Sequence, residues 1–170
     1  MLPNFTFPVS QSKAQLGLLI AFLMTATVGI ALGFEHIGGY IPCKLCLEQR
    51  TPYYAGAPIM LAGFVFWFMA APAYLTRACF AIGAVLMAYG VFLGGFHAGV
   101  EWGFWEGPAD CAVTVAAPTD TNILSAIDTI KPPSCNEAAL RVAGLSFAGW
   151  NVVASLVLAY LAGRAALTRS

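Results

Sequence analysis

The stretch AQLGLLIAFLMTATVGIALGF, Ala14 to Phe34, decides the class of this chain. It runs 21 residues without a charge, and a helix needs about 20 apolar residues to cross a bilayer core. Three further stretches match it: Tyr53 to Ala71, Ala78 to Phe96, and Leu145 to Ala166, the last with Arg164 near its end. Backbone groups in lipid must be satisfied within the segment, so each stretch reads as a helix. The first is longer than the roughly 7–15 residues of a signal-peptide core and lacks a small-x-small site before Glu35, so it is expected to be retained. Composition agrees, with 59% hydrophobic and 9% charged residues and a mean hydropathy of +0.77, against roughly 25% charged in soluble domains. The expected fold is all-α: one four-transmembrane-helix bundle over 1–170, with exported loops at about 35–52 and 97–144.

Charge sets the orientation. All eight acids, Glu35, Glu48, Glu101, Glu106, Asp110, Asp120, Asp128 and Glu137, fall between the first and second stretches or between the third and fourth. The N-terminus, the loop 71–77 and the C-terminal tail hold Lys13, Arg77, Arg164 and Arg169 and no acid. Basic residues favour the cytoplasmic side, which puts both termini there and both acid-bearing loops outside. Net charge is zero and no basic run points to nucleic acid.

Four of the five cysteines, Cys43, Cys46, Cys111 and Cys135, lie in the exported loops, where disulfides can form. Cys79 reads as a small buried hydrophobe. Cys43-Lys44-Leu45-Cys46 is a CxxC pair, able to close a small, readily reduced disulfide. Thiolate is the reactive species, and a nearby cation or helix N-terminus lowers a thiol pKa from about 8.5 to roughly 3.5–7.5. Lys44 and Arg50 are the candidate cations. The second helix has two possible starts. One is Thr51–Pro52; the other is near Leu47, which would put Cys46 at a helix N-terminus. Zinc would need two more ligands, and Cys111 and Cys135 stand 24 positions apart rather than as a second close pair. Structural disulfides are the stronger bland alternative, because a loop closed from Cys111 to Cys135 is an ordinary staple.

Arg50 at a membrane boundary is either a headgroup anchor or a donor to a carbonyl of a lipid-soluble carrier. A quinone has two such oxygens, and its reduced form gains negative charge that a guanidinium stabilises. His36 and His97 end the first and third helices on the exported side, where two histidines could ligate a haem. Alone, His97 suits donation or proton transfer to a bound carrier. Trp102, Phe104 and Trp105 fit an interfacial belt. Ile123, Leu124, Ile127 and Ile130 recur at helical spacing after Asp120 or Thr121, as in an amphipathic surface helix.

The order helix, CxxC with arginine four positions on, two helices, long loop with two cysteines, helix resembles that of the DsbB disulfide-forming proteins. CKLCLEQRTPYY (Cys43 to Tyr54), FHAGVEWGFWEGPADC (Phe96 to Cys111) and CNEAALRVAGLSFAGWN (Cys135 to Asn151) are similar to that family's loops and fourth-helix start. The resemblance implies a bacterial inner-membrane oxidoreductase that reoxidises a periplasmic thioredoxin-like DsbA-type oxidase and passes electrons to ubiquinone or menaquinone. It implies that Cys111 is attacked by the partner's thiolate, that Cys135 becomes linked with Cys43, and that Cys46 is released facing the quinone. It implies that Arg50 and His97 bind the quinone. The alternative class is a membrane scaffold or partner-binding protein with structural disulfides.

Overall fold

The computed structural model describes residues 9–108, 111 and 134–168. Four helices make up most of it: α1 (Val9–His36), α3 (Thr51–Phe68), α4 (Ala73–Glu101) and α5 (Phe147–Leu167). A five-residue helix, α2 (Lys44–Glu48), precedes α3. A small hairpin, β1 (Arg141–Val142) with β2 (Leu145–Ser146), precedes α5. By length and composition α1, α4 and α5 can each cross a membrane. In α3, 18 residues long, Thr51, Pro52, Tyr53, Tyr54 and Pro58 dilute the apolar character of the first turns.

The helices pack in a ring, α1 on α3, α3 on α4, α4 on α5, with α1 closing back on α5. The α4–α5 approach is set by glycines. A Cβ on Gly94 would lie 2.9 Å from Val152 Cγ2 and 3.2 Å from the Ala148 carbonyl oxygen. One on Gly90 would lie 2.8 Å from Ser155 Oγ. Small residues let helix backbones come close where lipid offers no hydrophobic drive for association. Elsewhere thioethers fill the gaps that glycines leave: Met24 lies against Gly56, and Met60 against Gly83.

Polarity is arranged inside out. Phe22, Ile30, Val85, Phe92 and Tyr160 are exposed on the bundle's outside. Buried within it, Tyr53 donates its hydroxyl to Asn151 Oδ1 at 2.7 Å, with Ser155 Oγ 2.8 Å away. Asn151 Nδ2 in turn donates to the Gly90 carbonyl at 3.3 Å, tying α3, α4 and α5 together. Such bonds have no competing water in an apolar surround.

The two ends of the ring differ in charge. At one, Lys13 Nζ donates to the Thr168 carbonyl at 2.7 Å and Arg77 Nε to the Ala166 carbonyl at 3.1 Å. Both cations meet carbonyls left open at the C-terminus of α5. The other end holds Glu35, Arg50, Glu101 and the cysteines. There Ala143 and Gly144 take φ of 51° and 85°, the paired positive values that a two-residue hairpin turn needs. Ser146 caps α5, its Oγ accepting from the Gly149 amide at 3.2 Å.

The second helix starts at the first of the two expected places, with the N-cap one residue earlier, at Arg50 rather than Thr51. Residues 44–48 form their own turn, Arg50 is the N-cap of α3, and Thr51 and Pro52 open it. The expected amphipathic helix at Ile123 to Ile130 lies outside the described residues.

Two neighbouring glycines give a test of opposite sign. Gly94→Ala is expected to destabilise the detergent-solubilised chain by about 1–3 kcal/mol through overpacking. Gly95→Ala, where an added Cβ meets nothing within 4 Å, should stabilise it by up to about 1 kcal/mol through helix propensity. Thermal unfolding followed by circular dichroism reads both.

Candidate functional site

The site is built on the turn of α2. Cys43 is its N-cap, in extended conformation with φ −78° and ψ 170°, and its Sγ accepts from the Cys46 amide at 3.3 Å. One helical turn brings the two sulfurs within 2.7 Å of each other. Both cysteines are thiols in this structure. It is thus Cys43, rather than Cys46, that sits at a helix start.

Behind Cys43 lies a buried polar chain. His97 Nε2 is 3.7 Å from Cys43 Sγ. His97 Nδ1 lies 2.7 Å from Gln49 Nε2, which also donates to the Leu45 carbonyl at 3.3 Å. An amide nitrogen can only donate, so Nδ1 accepts and neutral His97 carries its proton on Nε2, aimed at the Cys43 sulfur. One turn further along α4, Glu101 Oε1 is 3.8 Å from the same Nε2. The Glu101 side chain is only 4% exposed, and its Oε2 makes no hydrogen bond among the described residues.

The second pair closes on this group. Cys111 and Cys135 form a disulfide with their Cα atoms 5.9 Å apart. The Lys44 amide donates to the Cys111 carbonyl at 3.5 Å, which holds the two loops together. Cys135 Sγ, Cys43 Sγ and His97 Nε2 all lie within 4.8 Å of one another. Leu45 and Val100 pack around the three buried cysteines, Cys43, Cys111 and Cys135.

Electrostatics splits the CxxC pair. The hydrogen bond from Cys46 pulls the Cys43 pKa down to about 5; burial opposes this, and His97 adds to it. Cys46 is pushed up, first because its proton is held by Cys43, then by burial and by the charge on Cys43. Sequence spacing suggested Lys44 and Arg50 as the stabilising neighbours. The contacts that do it are Cys46 and His97, and Arg50 turns instead to Glu35, with Nη1 2.6 Å from Oε2.

Two cavities flank the turn. One, of about 310 Å³, lies among α1, α3 and α5. Its lining includes the apolar Val28, Ile30, Phe34 and Phe147 and the polar Glu35, Cys46, Gln49, Arg50 and Asn151. The other, of about 1050 Å³, is wider and more polar and includes Glu101, Trp105, Cys111 and Cys135 in its lining. Cys43 lines neither. Of the two residues expected to bind a carrier, Arg50 lines the 310 Å³ cavity and His97 lies outside it, beside Cys43. His36 is exposed and bonded to the Leu32 carbonyl of its own helix. Trp102 and Phe104 are exposed, while Trp105 stacks on Phe96 and donates Nε1 to the Phe96 carbonyl.

Sequence reading did not single out Gln49, Glu101, Glu35 or Asn151. Glu101 had a signal, four positions after His97 on the same helix face. Asn151 and Ser155 had another, two polar residues one turn apart in an apolar run.

The split thiol pair has a pH signature. Thiolate is the alkylated form, and a lowered pKa keeps it present at every pH above that value. Cys43 in the TCEP-reduced chain should therefore react with iodoacetamide at nearly constant rate from pH 8 down to about 6, and lose rate through about pH 5. Cys46 should remain largely unlabelled over that range. Mass mapping of the labelled cysteines reads both, and an inflection near 8.5, the ordinary thiol value, would contradict the assigned contacts.

Comparison with known proteins follows the same lines. An uncharacterised protein of Rickettsia prowazekii (strain Madrid E) is 24% identical over 147 residues, covering 85% of this chain and 80% of its own. No solved structure matches the chain. The family described as disulfide bond formation protein DsbB matches residues 13–165, nearly the whole sequence and all four site cysteines. With its paired cysteines gathered at one end of an apolar helical ring, this chain belongs to the DsbB family.

Proposed function

We propose that the chain is an inner-membrane protein-disulfide:quinone oxidoreductase that reoxidises a periplasmic DsbA-type oxidase and delivers the electrons to ubiquinone or menaquinone. One observation carries this reading: Cys43 stands between a disulfide on one side, with Cys135 Sγ within 4.8 Å, and Cys46 on the other, which opens into an apolar cavity beside Arg50. In this reading α3 is a fourth span. The end holding Lys13 and Arg77 faces the cytoplasm with both termini, and the cysteine end faces the periplasm.

Exchange proceeds by bonds that balance at each step. The partner's thiolate attacks Cys111 through the outer cavity; the Cys111–Cys135 bond breaks, and Cys135 leaves as a thiolate. With Cys43 and Cys46 closed beforehand, Cys135 attacks Cys43 and Cys46 leaves as a thiolate. The first cause of the raised Cys46 pKa is its hydrogen bond to Cys43. Once Cys43 is bonded to Cys135 that restraint is gone, so Cys46 ionises more readily on the cavity side. A DsbA-type partner sits at about −120 mV, so the receiving disulfides must themselves be strongly oxidising or be drawn forward by the acceptor.

The 310 Å³ cavity suits a quinone ring, with a mostly apolar lining for the ring and chain and a few polar groups to orient its oxygens. When bound, a quinone accepts two electrons and two protons. Arg50 and Asn151 would orient its oxygens, and Cys46 would face it. His97 acts from behind, holding Cys43 as a thiolate whenever the pair is reduced.

The test mixes catalytic amounts of the purified chain with reduced DsbA-type partner and a water-soluble quinone, and follows quinone absorbance. Turnover is expected; no quinone loss above background would sink the reading and favour a scaffold with structural disulfides. Arg50→Ala should raise the quinone KM about tenfold to a hundredfold, the loss of a hydrogen bond from a charged group, with partner–Cys111 exchange unchanged. An unchanged KM would make Arg50 a headgroup anchor. Cys79→Ala should leave turnover unaffected, since Cys79 packs in the core against Gly63, among α1, α3 and α4.

A further inference from the structure

Once the Cys111–Cys135 bond is opened, Cys135 Sγ joins Cys43 Sγ and His97 Nε2 as three metal-ligating atoms within 4.8 Å, all on buried residues. Tetrahedral zinc, with bonds of about 2.3 Å to sulfur and about 2.0 Å to nitrogen, sets neighbouring donors about 3.5–3.8 Å apart. Cys43 Sγ and His97 Nε2 are already at 3.7 Å. A fourth donor stands beside them: Glu101, 96% buried by its 4% side-chain exposure, with Oε1 3.8 Å from His97 Nε2 and Oε2 without a hydrogen bond among the described residues. A buried carboxylate oxygen left unbonded is costly unless something charged meets it.

From this geometry we infer that the reduced chain carries a redox-gated site for a zinc-like divalent ion, formed by Cys43, Cys135, His97 and Glu101. Cys46 is left out, because it is not part of the three-residue ligand group and lines the other cavity. Access is provided by the outer cavity, whose lining includes Glu101 and Cys135. The other ring nitrogen of His97 has its own partner as well. A metal on His97 Nε2 requires the proton on Nδ1, and Gln49, 2.7 Å away, accepts it by turning its amide over. Binding displaces the Cys135 thiol proton, moves the single His97 proton from Nε2 to Nδ1, and changes no oxidation state. It ties up Cys43 and Cys135, so the metal-bound chain cannot exchange disulfides. Closing either disulfide removes a ligand and expels the ion. The site thereby reports a chain starved of its electron acceptor, a significance that rests on the proposed function, whereas the binding itself does not.

The test uses neither quinone nor partner, so its failure and that of the proposed function are distinguishable. The full chain in detergent, reduced anaerobically with TCEP, is titrated with Co²⁺ as the spectroscopic probe and back-titrated with Zn²⁺. One equivalent per chain should produce sulfur-to-cobalt charge-transfer bands and tetrahedral visible bands, both erased by Zn²⁺ and absent from the oxidised chain. Cys135→Ser and His97→Ala should lose the tetrahedral bands, while Cys46→Ser and Cys79→Ser keep them. Gln49→Ala should weaken binding about tenfold to a hundredfold. No bands in the reduced chain, or bands that survive Cys135→Ser but not Cys46→Ser, would overturn the site. A measurement without substitutions guards against misfolded variants: Zn²⁺ should protect Cys43 and Cys135 of the unaltered reduced chain from iodoacetamide, and equal labelling with and without the ion would overturn the proposal.

Discussion

The contact between Cys43 Sγ and its three neighbours is the constraint on which the rest of this structure depends. Cys46, His97 and Cys135 reach it from α2, from α4 and from the segment before α5. For them to meet, a loop between α1 and α3 must fold into a single helical turn, α4 must deliver its last turn to the same depth, and the later loop must be pinned across both. The glycine-mediated approach of α4 to α5 serves this end. Gly94 and Gly90 lie about one and two turns below His97, where any side chain would push α5 away.

Much of the fold was legible in the residues. Apolar runs of membrane-crossing length marked the four long helices, and charge asymmetry separated Lys13 and Arg77 from Glu35 and Glu101, which the structure puts at opposite ends. The break between α2 and α3 was not legible. Pro52 permits a helix to begin there or to bend there, and local sequence is equally compatible with both. What settles it is tertiary: Cys43 must cap a turn that places its sulfur against α4.

At the site, the sequence pointed to the cysteines that the structure gathers and missed the contacts around them. CxxC, Cys111, Cys135 and Arg50 stand out because few residue types can do redox chemistry or carry charge at a membrane edge. Their pairing in space depends on helix rotation, which apolar periodicity does not report when every face is apolar. Lys44 and Arg50 were the expected stabilisers of a thiolate from proximity along the chain. Arg50 instead meets Glu35, which ends a different helix, and the tuning falls first to Cys46 and then to His97. Long-range contacts of this kind leave no trace in spacing.

The two cavities share no lining residue, and Cys43, only 3% exposed, lines neither. The CxxC turn is therefore a partition as well as a reactive group. In the proposed function, the species that would occupy the outer cavity and the apolar one lie on either side of this turn, and electrons would pass between them by bond exchange through sulfur. Selectivity on each side can then be set independently of the other, by the loop on one face and by the helix ring on the other.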